Sequence, residues 1–87
     1  MDEKTLYEDV IETIQNWHKA EFWKQSRVSK ESLCRSTQLD HIMLDSLDIL
    51  EIIVKMEEKY GREIKDSDIE VHTIGDIVDL ISKSPRK

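Results

Sequence analysis

Residues that break regular structure are almost missing from this chain. Gly61, Gly75 and Pro85 are the complete set of glycines and prolines among its 87 residues. A β-sandwich or β-barrel needs turn signals at a spacing of about 8–12 residues, and this sequence does not supply them. The sequence therefore favours helices, and its length corresponds to one small domain.

The first helix is predicted over about residues 2–19. Its apolar residues are spaced by three or four positions, so they share one face of a helix: Leu6, Val10, Ile14 and Trp17. Residues 25–38 are rich in serine and threonine and lose this spacing. We interpret them as a long loop, with Val28 and Leu33 as its anchors in the core.

The second helix is predicted from Ser46 to Tyr60, because Gly61 stands where a glycine commonly follows a helix end. A short helical turn is expected around residues 66–70. The last helix is expected to begin at Thr73, since Thr73 and Asp76 have the spacing of a capping box.

These segments predict an all-α fold, a small four-helix bundle made of three main helices and one short helix. We expect a single domain over residues 1–83 and a basic, flexible tail over residues 84–87.

The net charge of −6 argues against nucleic acid as a partner, because phosphate binding requires a basic surface. It favours partner proteins that present basic patches. No apolar run approaches the roughly 20 residues of a membrane-spanning helix. Cys34 is the single cysteine, so a reducing compartment is the simpler assumption. We expect a soluble, cytoplasmic monomer.

The second helix has two apolar faces. One is predicted to face the core and is formed by Ile49, Ile52, Ile53, Met56 and Tyr60. The other is apolar with acidic neighbours and consists of Leu47, Leu50 and Val54 together with Asp48, Glu51 and Glu58. Two interpretations stay open. Either Leu50 and Val54 widen the core and Leu47 is an ordinary exposed leucine, or the face is an exposed docking strip for a basic partner.

Ser46 has an ordinary structural interpretation and a chemical one. Asp45 and Asp48 flank it with capping-box spacing, as at many helix starts. A nucleophilic serine needs a general base held by a third group. His41 is the only histidine nearby, and the Gly-x-Ser-x-Gly elbow is missing. No catalytic residue is predicted, and Ser46 is better suited to being modified by another enzyme.

No metal site is predicted. The three histidines of the chain share no ligand spacing with one another or with Cys34. The acidic stretch "DSDIE" lacks the central glycine and the late glutamate of a calcium loop.

The stretches "TQLDHIMLDSLDILEIIVKMEEKYGREI" and "HTIGDIVDLI" together resemble the acyl carrier protein family. Asp45, Ser46 and Leu47 match the attachment motif of that family, and the match covers about residues 37–81 in the right order. Met43 departs from it, because the family usually has glycine there. The segment before Thr37 is longer than usual and contains three aromatic residues, which form either core packing or an unusual partner surface: Trp17, Phe22 and Trp23.

The resemblance implies a four-helix carrier that performs no catalysis itself. A phosphopantetheinyl transferase would attach 4′-phosphopantetheine from coenzyme A to Ser46. The arm would then hold acyl intermediates as thioesters for fatty-acid or polyketide-type biosynthesis. Acyl-transfer, ketosynthase or ligase enzymes with basic patches would dock on a surface made of Asp45, Leu47, Asp48, Leu50, Glu51, Val54 and Glu58.

Two alternatives to this function remain open. The first is a carrier of an aminoacyl or D-alanyl unit. The second is an unmodified acidic helical module that is used only for protein–protein docking.

Overall fold

The computed structural model describes residues 3–18, 23 and 30–86. Its helices are α1 (Glu3–Gln15), α2 (Ser46–Tyr60) and α3 (Ile74–Lys83), with 3₁₀ turns at Lys30–Ser32, Leu39–Ile42 and Asp66–Asp68. Across these ranges the only β pairings are two isolated bridges. The predicted all-α fold is confirmed, and the short fourth helix takes the form of the three-residue turn Asp66–Asp68. None of the described helices has both the length and the apolar character needed to cross a membrane.

Helix α1 is shorter than predicted, because its last turn tightens. The amide of Trp17 donates to the carbonyl of Ile14 at 3.0 Å, a three-residue step instead of four. The side-chain amide of Asn16 donates to the carbonyl of Glu12 at 3.0 Å and competes with continuation of the helix. The helix therefore ends at Gln15, and residue 19 lies outside the described residues.

The core lies between the three helices, and α1 packs against both α2 and α3. Its buried side chains come from every helix and from the loops before α2: Leu6, Val10, Ile14, Trp17, Trp23, Leu33, Leu39, Ile42, Leu44, Ile52, Ile53, Met56, Ile74, Ile77, Val78 and Ile81. Leu33 anchors the long loop as expected, and the core interpretation is confirmed for Trp17 and Trp23. Phe22 and Val28 lie outside the described residues.

The loop before α2 is hydrogen-bonded to the start of α3. The amide of Gly75 donates to the carbonyl of Arg35 at 2.9 Å, and that of Ile74 donates to Thr37 at 3.1 Å. The amide of Leu39 donates to the carbonyl of His72 at 2.9 Å. A Cβ atom at position 75 would lie 3.0 Å from the Arg35 oxygen, so glycine permits this approach. The start of α3 thereby fixes the loop that leads to Ser46.

The C-terminal residues Ser84 to Arg86 are paired with the loop after α2, and the flexibility of the tail stays a prediction. Arg62 donates to the carbonyl of Ser84 at 2.8 Å, and the amide of Glu63 donates to the carbonyl of Pro85 at 3.0 Å. The hydroxyl of Ser84 is buried and donates to the carbonyl of Ile81 at 2.6 Å. These contacts join the end of the chain to the loop after α2, and residue 87 lies outside the described residues.

Candidate functional site at the start of α2

The loop before Ser46 alternates between buried and exposed side chains. Ile42 and Leu44 are buried, whereas Met43 between them is 45% exposed. Met43 has a left-handed backbone, with φ 65° and ψ 20°. Its amide donates to the carbonyl of Asp40 at 3.2 Å, and the amide of Leu44 donates to the carbonyl of Leu39 at 3.1 Å. This conformation explains why glycine, the residue with the least strain at positive φ, is usual here in the family that the sequence resembles.

Ser46 is the first residue of α2, and it lies inside a complete capping box. The side chain of Asp45 accepts from the amide of Asp48 at 2.9 Å. The side chain of Asp48 accepts from the amide of Asp45 at 3.2 Å. The predicted cap is therefore confirmed, and it leaves the side chain of Ser46 exposed between its two members.

Asp48 does not lie on the exposed strip where the sequence placed it. It is 5% exposed, and its Oδ1 accepts from the indole N–H of Trp17 at 3.0 Å. His18 lies 3.8 Å from the same oxygen, and the ammonium of Lys55 lies 5.1 Å from the centre of the Trp17 ring. The expectation that Asp48 contacts partners is corrected, because Trp17 covers its carboxylate.

The second buried tryptophan supports the other side of the junction. The indole N–H of Trp23 donates to the carbonyl of Ile42 at 2.9 Å, in a buried hydrogen bond. Ile42 directly precedes the left-handed Met43, and Asp48 follows Ser46 by two positions. The two tryptophans of the longer N-terminal segment therefore bond to both sides of the serine, Trp23 to the backbone of Ile42 and Trp17 to the side chain of Asp48.

The remaining predicted docking residues are exposed. Leu47 is 70%, Val54 41% and Leu50 37% exposed, so these residues do not widen the core. Three exposed acidic side chains accompany them: Asp45, Glu51 and Glu58. We call these six residues the docking face; its contact with partner proteins stays a prediction.

The two lysines of α2 lie toward one edge of this face. Lys55 is over the ring of Trp17, and Lys59 forms an ion pair with Asp9 of α1 at 3.1 Å. Tyr60 donates a hydrogen bond to the same carboxylate. The cations of α2 thus lie on the side of α1, and the docking face retains its acidic character.

A cleft of about 350 Å³ opens beside Ser46. It lies between the loop before α2, the first turn of α2 and the segment before α3, and its lining is Gln38, Leu39, Asp40, Leu44, Asp45, Ser46, Ile49, Val71 and His72. A smaller cavity of about 140 Å³ is lined by Ser46, Ile49, Ile69 and Val71. The sequence did not predict the position or the lining of these two cavities, although the alternating apolar residues Ile69 and Val71 were a signal for the smaller one.

Cys34 is an exposed free thiol. Hydrogen bonds from Ser36, at 3.1 Å from its sulfur, and from Thr37 lower the pKa of this thiol to about 7. The thiol is therefore partly ionised near neutral pH.

An exposed serine at the first residue of α2, with a cleft on one side and an apolar–acidic face beside it, is the arrangement expected of a helical carrier domain. Residues 24–81 match the family model described as "Phosphopantetheine attachment site". The acyl carrier protein of Clostridium perfringens is 41% identical over 58 residues, which cover 66% of this chain and 76% of that protein. The acyl carrier protein of Tropheryma whipplei is 48% identical over 52 residues, 53% of this chain and 63% of that protein.

The chain belongs to the acyl carrier protein family, whose members are carriers and not catalysts. Membership implies a covalently attached 4′-phosphopantetheine. The site fits this group, because an exposed serine hydroxyl meets a cleft large enough for a slender ligand. In the part of the chain that the structure describes, no three histidine, cysteine, aspartate or glutamate side chains are placed to hold a metal ion.

Proposed function

We propose that Ser46 carries the 4′-phosphopantetheine and that the chain transports acyl intermediates of fatty-acid or polyketide-type biosynthesis. The observation that carries this proposal is the exposed position of Ser46 at the first residue of α2, beside the 350 Å³ cleft. When attached, the arm supplies a terminal thiol that holds acyl groups as thioesters. The chain is the substrate of a phosphopantetheinyl transferase and of the acyl-handling enzymes that follow.

The modification requires Ser46 to be accessible, whereas activation of the hydroxyl is left to the transferase. Ser46 Oγ bonds to the pantetheine-side phosphorus of coenzyme A and loses its proton. The bond from that phosphorus to the bridging oxygen breaks, and adenosine 3′,5′-bisphosphate leaves. The phosphodiester formed on Ser46 lies at the N-terminal end of α2, where the helix dipole favours an anion.

The cleft beside Ser46 is proposed to shelter the arm and the first part of its cargo. Four apolar side chains line it: Leu39, Leu44, Ile49 and Val71. A groove with this lining takes an alkyl chain out of water, which is favourable by roughly 25 cal/mol per Å² of apolar surface buried. The arm stays free to leave the cleft, because its only covalent bond is to Ser46.

The docking face is proposed to bind the basic surfaces of acyl-transfer, ketosynthase or ligase enzymes. Its leucine and valine side chains supply apolar contact, and its carboxylates attract cationic partners over distance. Asp48 is excluded from this face because it is buried. We place these encounters in the cytoplasm, where an exposed thiol such as that of Cys34 stays reduced.

The experiment that tests the attachment site is mass spectrometry of the intact chain after incubation with a phosphopantetheinyl transferase, coenzyme A and Mg²⁺. We expect the mass to rise by one arm in the wild type and to stay constant in Ser46→Ala. No gain in the wild type, or the same gain in the variant, would contradict the proposal. Loading by an adenylating enzyme, with no loading by acyl-transfer enzymes, would indicate an aminoacyl or D-alanyl cargo.

The same preparation tests the docking face through Glu51→Lys. We expect the KM of an acyl-transfer enzyme for the loaded carrier to rise several-fold, because the charge at the centre of the face is reversed. Since Glu51 is exposed, the free energy of unfolding should change by less than about 0.5 kcal/mol. A large loss of stability would show that Glu51 has a structural role, and an unchanged KM would remove it from the docking surface.

A further inference from the structure

Met43 has a backbone conformation that its side chain makes unfavourable. Among the described residues it is the only one other than glycine with positive φ. The left-handed region is unfavourable for a residue with a Cβ atom; glycine adopts it routinely, and asparagine and aspartate adopt it occasionally. The neighbours of Met43 impose this conformation, since Ile42 and Leu44 are buried on either side of it and Trp23 holds the carbonyl of Ile42.

The fold covers the side chain of Met43 only in part. The side chain of Met43 is 45% exposed, so nearly half of its surface makes no contribution to folding by burial. Glycine would close the same turn with less strain. Strain of this kind persists at sites of function, where the side chain serves a purpose outside the fold.

The position of Met43 indicates which partner the side chain meets. Consecutive Cα atoms are about 3.8 Å apart, so the Cα of Met43 lies within about 11 Å of that of Ser46. An enzyme that transfers a group to Ser46 Oγ must bring its active site onto this serine and must cover the surface around it. Enzymes that act later receive the end of a flexible arm and have no such requirement.

We propose that Met43 is a recognition residue for the phosphopantetheinyl transferase, an inference that rests on Ser46 being the attachment site. The thioether side chain enters an apolar recess beside the active site of the transferase. Basic groups of the enzyme frame that recess, because the exposed side chains of Asp40 and Asp45 lie on the two sides of Met43 along the loop. Methionine suits such a contact, since its unbranched side chain adapts to an irregular recess.

The test compares the wild type with three variants in steady-state transfer from coenzyme A, using the transferase encoded by the genome that encodes this chain. Met43→Gly and Met43→Asn remove the apolar side chain and keep the left-handed turn favourable. We expect them to raise the KM for the carrier about fivefold, with kcat within twofold of the wild-type value. Met43→Leu keeps an apolar side chain of similar size, and its KM should stay within about twofold.

A thermal melt separates recognition from folding. Met43→Gly should raise the unfolding midpoint by roughly 2–6 °C, because it relieves strain in the turn. A variant that is more stable and yet a poorer substrate supports recognition through the side chain. A fivefold rise in KM for Met43→Leu would contradict an apolar contact.

Two further outcomes distinguish this inference from the proposed function. If the transferase modifies Ser46 in the wild type but the Gly and Asn variants keep the wild-type KM, the role of Met43 is wrong and the attachment site stands. If the wild type is not modified at Ser46, both proposals fail together.

Discussion

Helices α2 and α3 begin with the same local structure, a capping box. In α2 the side chain of Asp45 accepts from the amide of Asp48 at 2.9 Å, and the carboxylate of Asp48 accepts in return at 3.2 Å. In α3 the hydroxyl of Thr73 accepts from the amide of Asp76 at 3.2 Å, and the carboxylate of Asp76 accepts in return at 3.1 Å. Judged by these hydrogen bonds alone, the two helix starts are equivalent.

The two boxes differ in what the third residue of each helix contacts next. The carboxylate of Asp48 is buried and accepts from the indole of Trp17, 31 positions away in the chain. The carboxylate of Asp76 is half-buried and accepts a second backbone amide, that of the neighbouring His72, at 2.9 Å. The carboxylate of Asp48 is therefore held by a distant side chain, and that of Asp76 by amides of its own segment.

This difference bears on the proposed function of Ser46. Ser46 lies between Asp45 and Asp48, the two members of the capping box of α2. Because Trp17 holds Asp48, the backbone position of Ser46 depends on the segment that follows α1 as well as on α2. A fixed backbone with an exposed hydroxyl is what a modifying enzyme needs, because the reacting atom is presented in one place. The start of α3 combines its local cap with backbone hydrogen bonds to the loop before α2.

The largest expected effect comes from removing the carboxylate at the third position of each helix, Asp48 in α2 and Asp76 in α3. Asp48→Ala should lower the free energy of unfolding by about 2–4 kcal/mol, because the return bond to the amide of Asp45 is lost and the indole N–H of Trp17 is left buried without its acceptor. Asp76→Ala should lower it by about 1 kcal/mol, because the amides of His72 and Thr73 lose their acceptor while Thr73 remains the N-cap. Urea unfolding of both variants measures the difference. Equal losses would mean that the Trp17 contact contributes nothing to stability.

A smaller effect is expected from Trp17→Phe, which keeps an aromatic ring but removes the indole donor. The free energy of unfolding should fall by about 1–2 kcal/mol. In a double-mutant cycle with Asp48→Ala, the stability loss of the double variant should be smaller than the sum of the two single losses by more than about 0.5 kcal/mol. Asp48→Asn is the matched control, because its remaining oxygen can still accept from Trp17 while the return bond to Asp45 is lost. Additive losses in the cycle would place the contribution of Trp17 in packing alone.

Both boxes were accessible to sequence reasoning, because their members are three residues apart and carry the polar side chains that such caps use. The same holds for the end of α2, where Gly61 has a φ of 63°. Local signals of this kind need no knowledge of the tertiary structure. They are sufficient for the helical class, for the bounds of α2 and for the exposed position of Ser46.

The burial of Asp48 could not be predicted in this way. Helical periodicity placed Asp48 beside the exposed apolar face of α2, and a residue there is buried only if another segment covers it. That segment is the end of α1, whose last turn tightens and directs Trp17 to the carboxylate. The cleft beside Ser46 was missed for the same reason, since it is formed by segments that are distant in the chain.

The smallest expected effect is the pH dependence of stability that arises from the capping box of α3. Hydrogen bonds from the amides of His72 and Thr73 lower the pKa of Asp76 from its ordinary value of 3.8. A carboxyl with a lowered pKa in the folded state stabilises the fold at pH values above its unfolded pKa. This contribution is lost as the pH falls below about 3.8 and through the folded pKa.

The free energy of unfolding of the wild type and of Asp76→Asn is measured by urea unfolding at a series of pH values from 7 to 2.5. The wild type should be the more stable at pH 7, because the ionised carboxylate is the stronger acceptor at the start of α3. The difference between the two proteins should stay constant down to about pH 5 and then shrink as the carboxyl protonates. A difference that grows toward low pH would have the wrong sign. It would show that the folded chain does not stabilise the carboxylate of Asp76. The amides of His72 and Thr73 would then not hold the cap of α3 in the way that Trp17 holds the cap of α2.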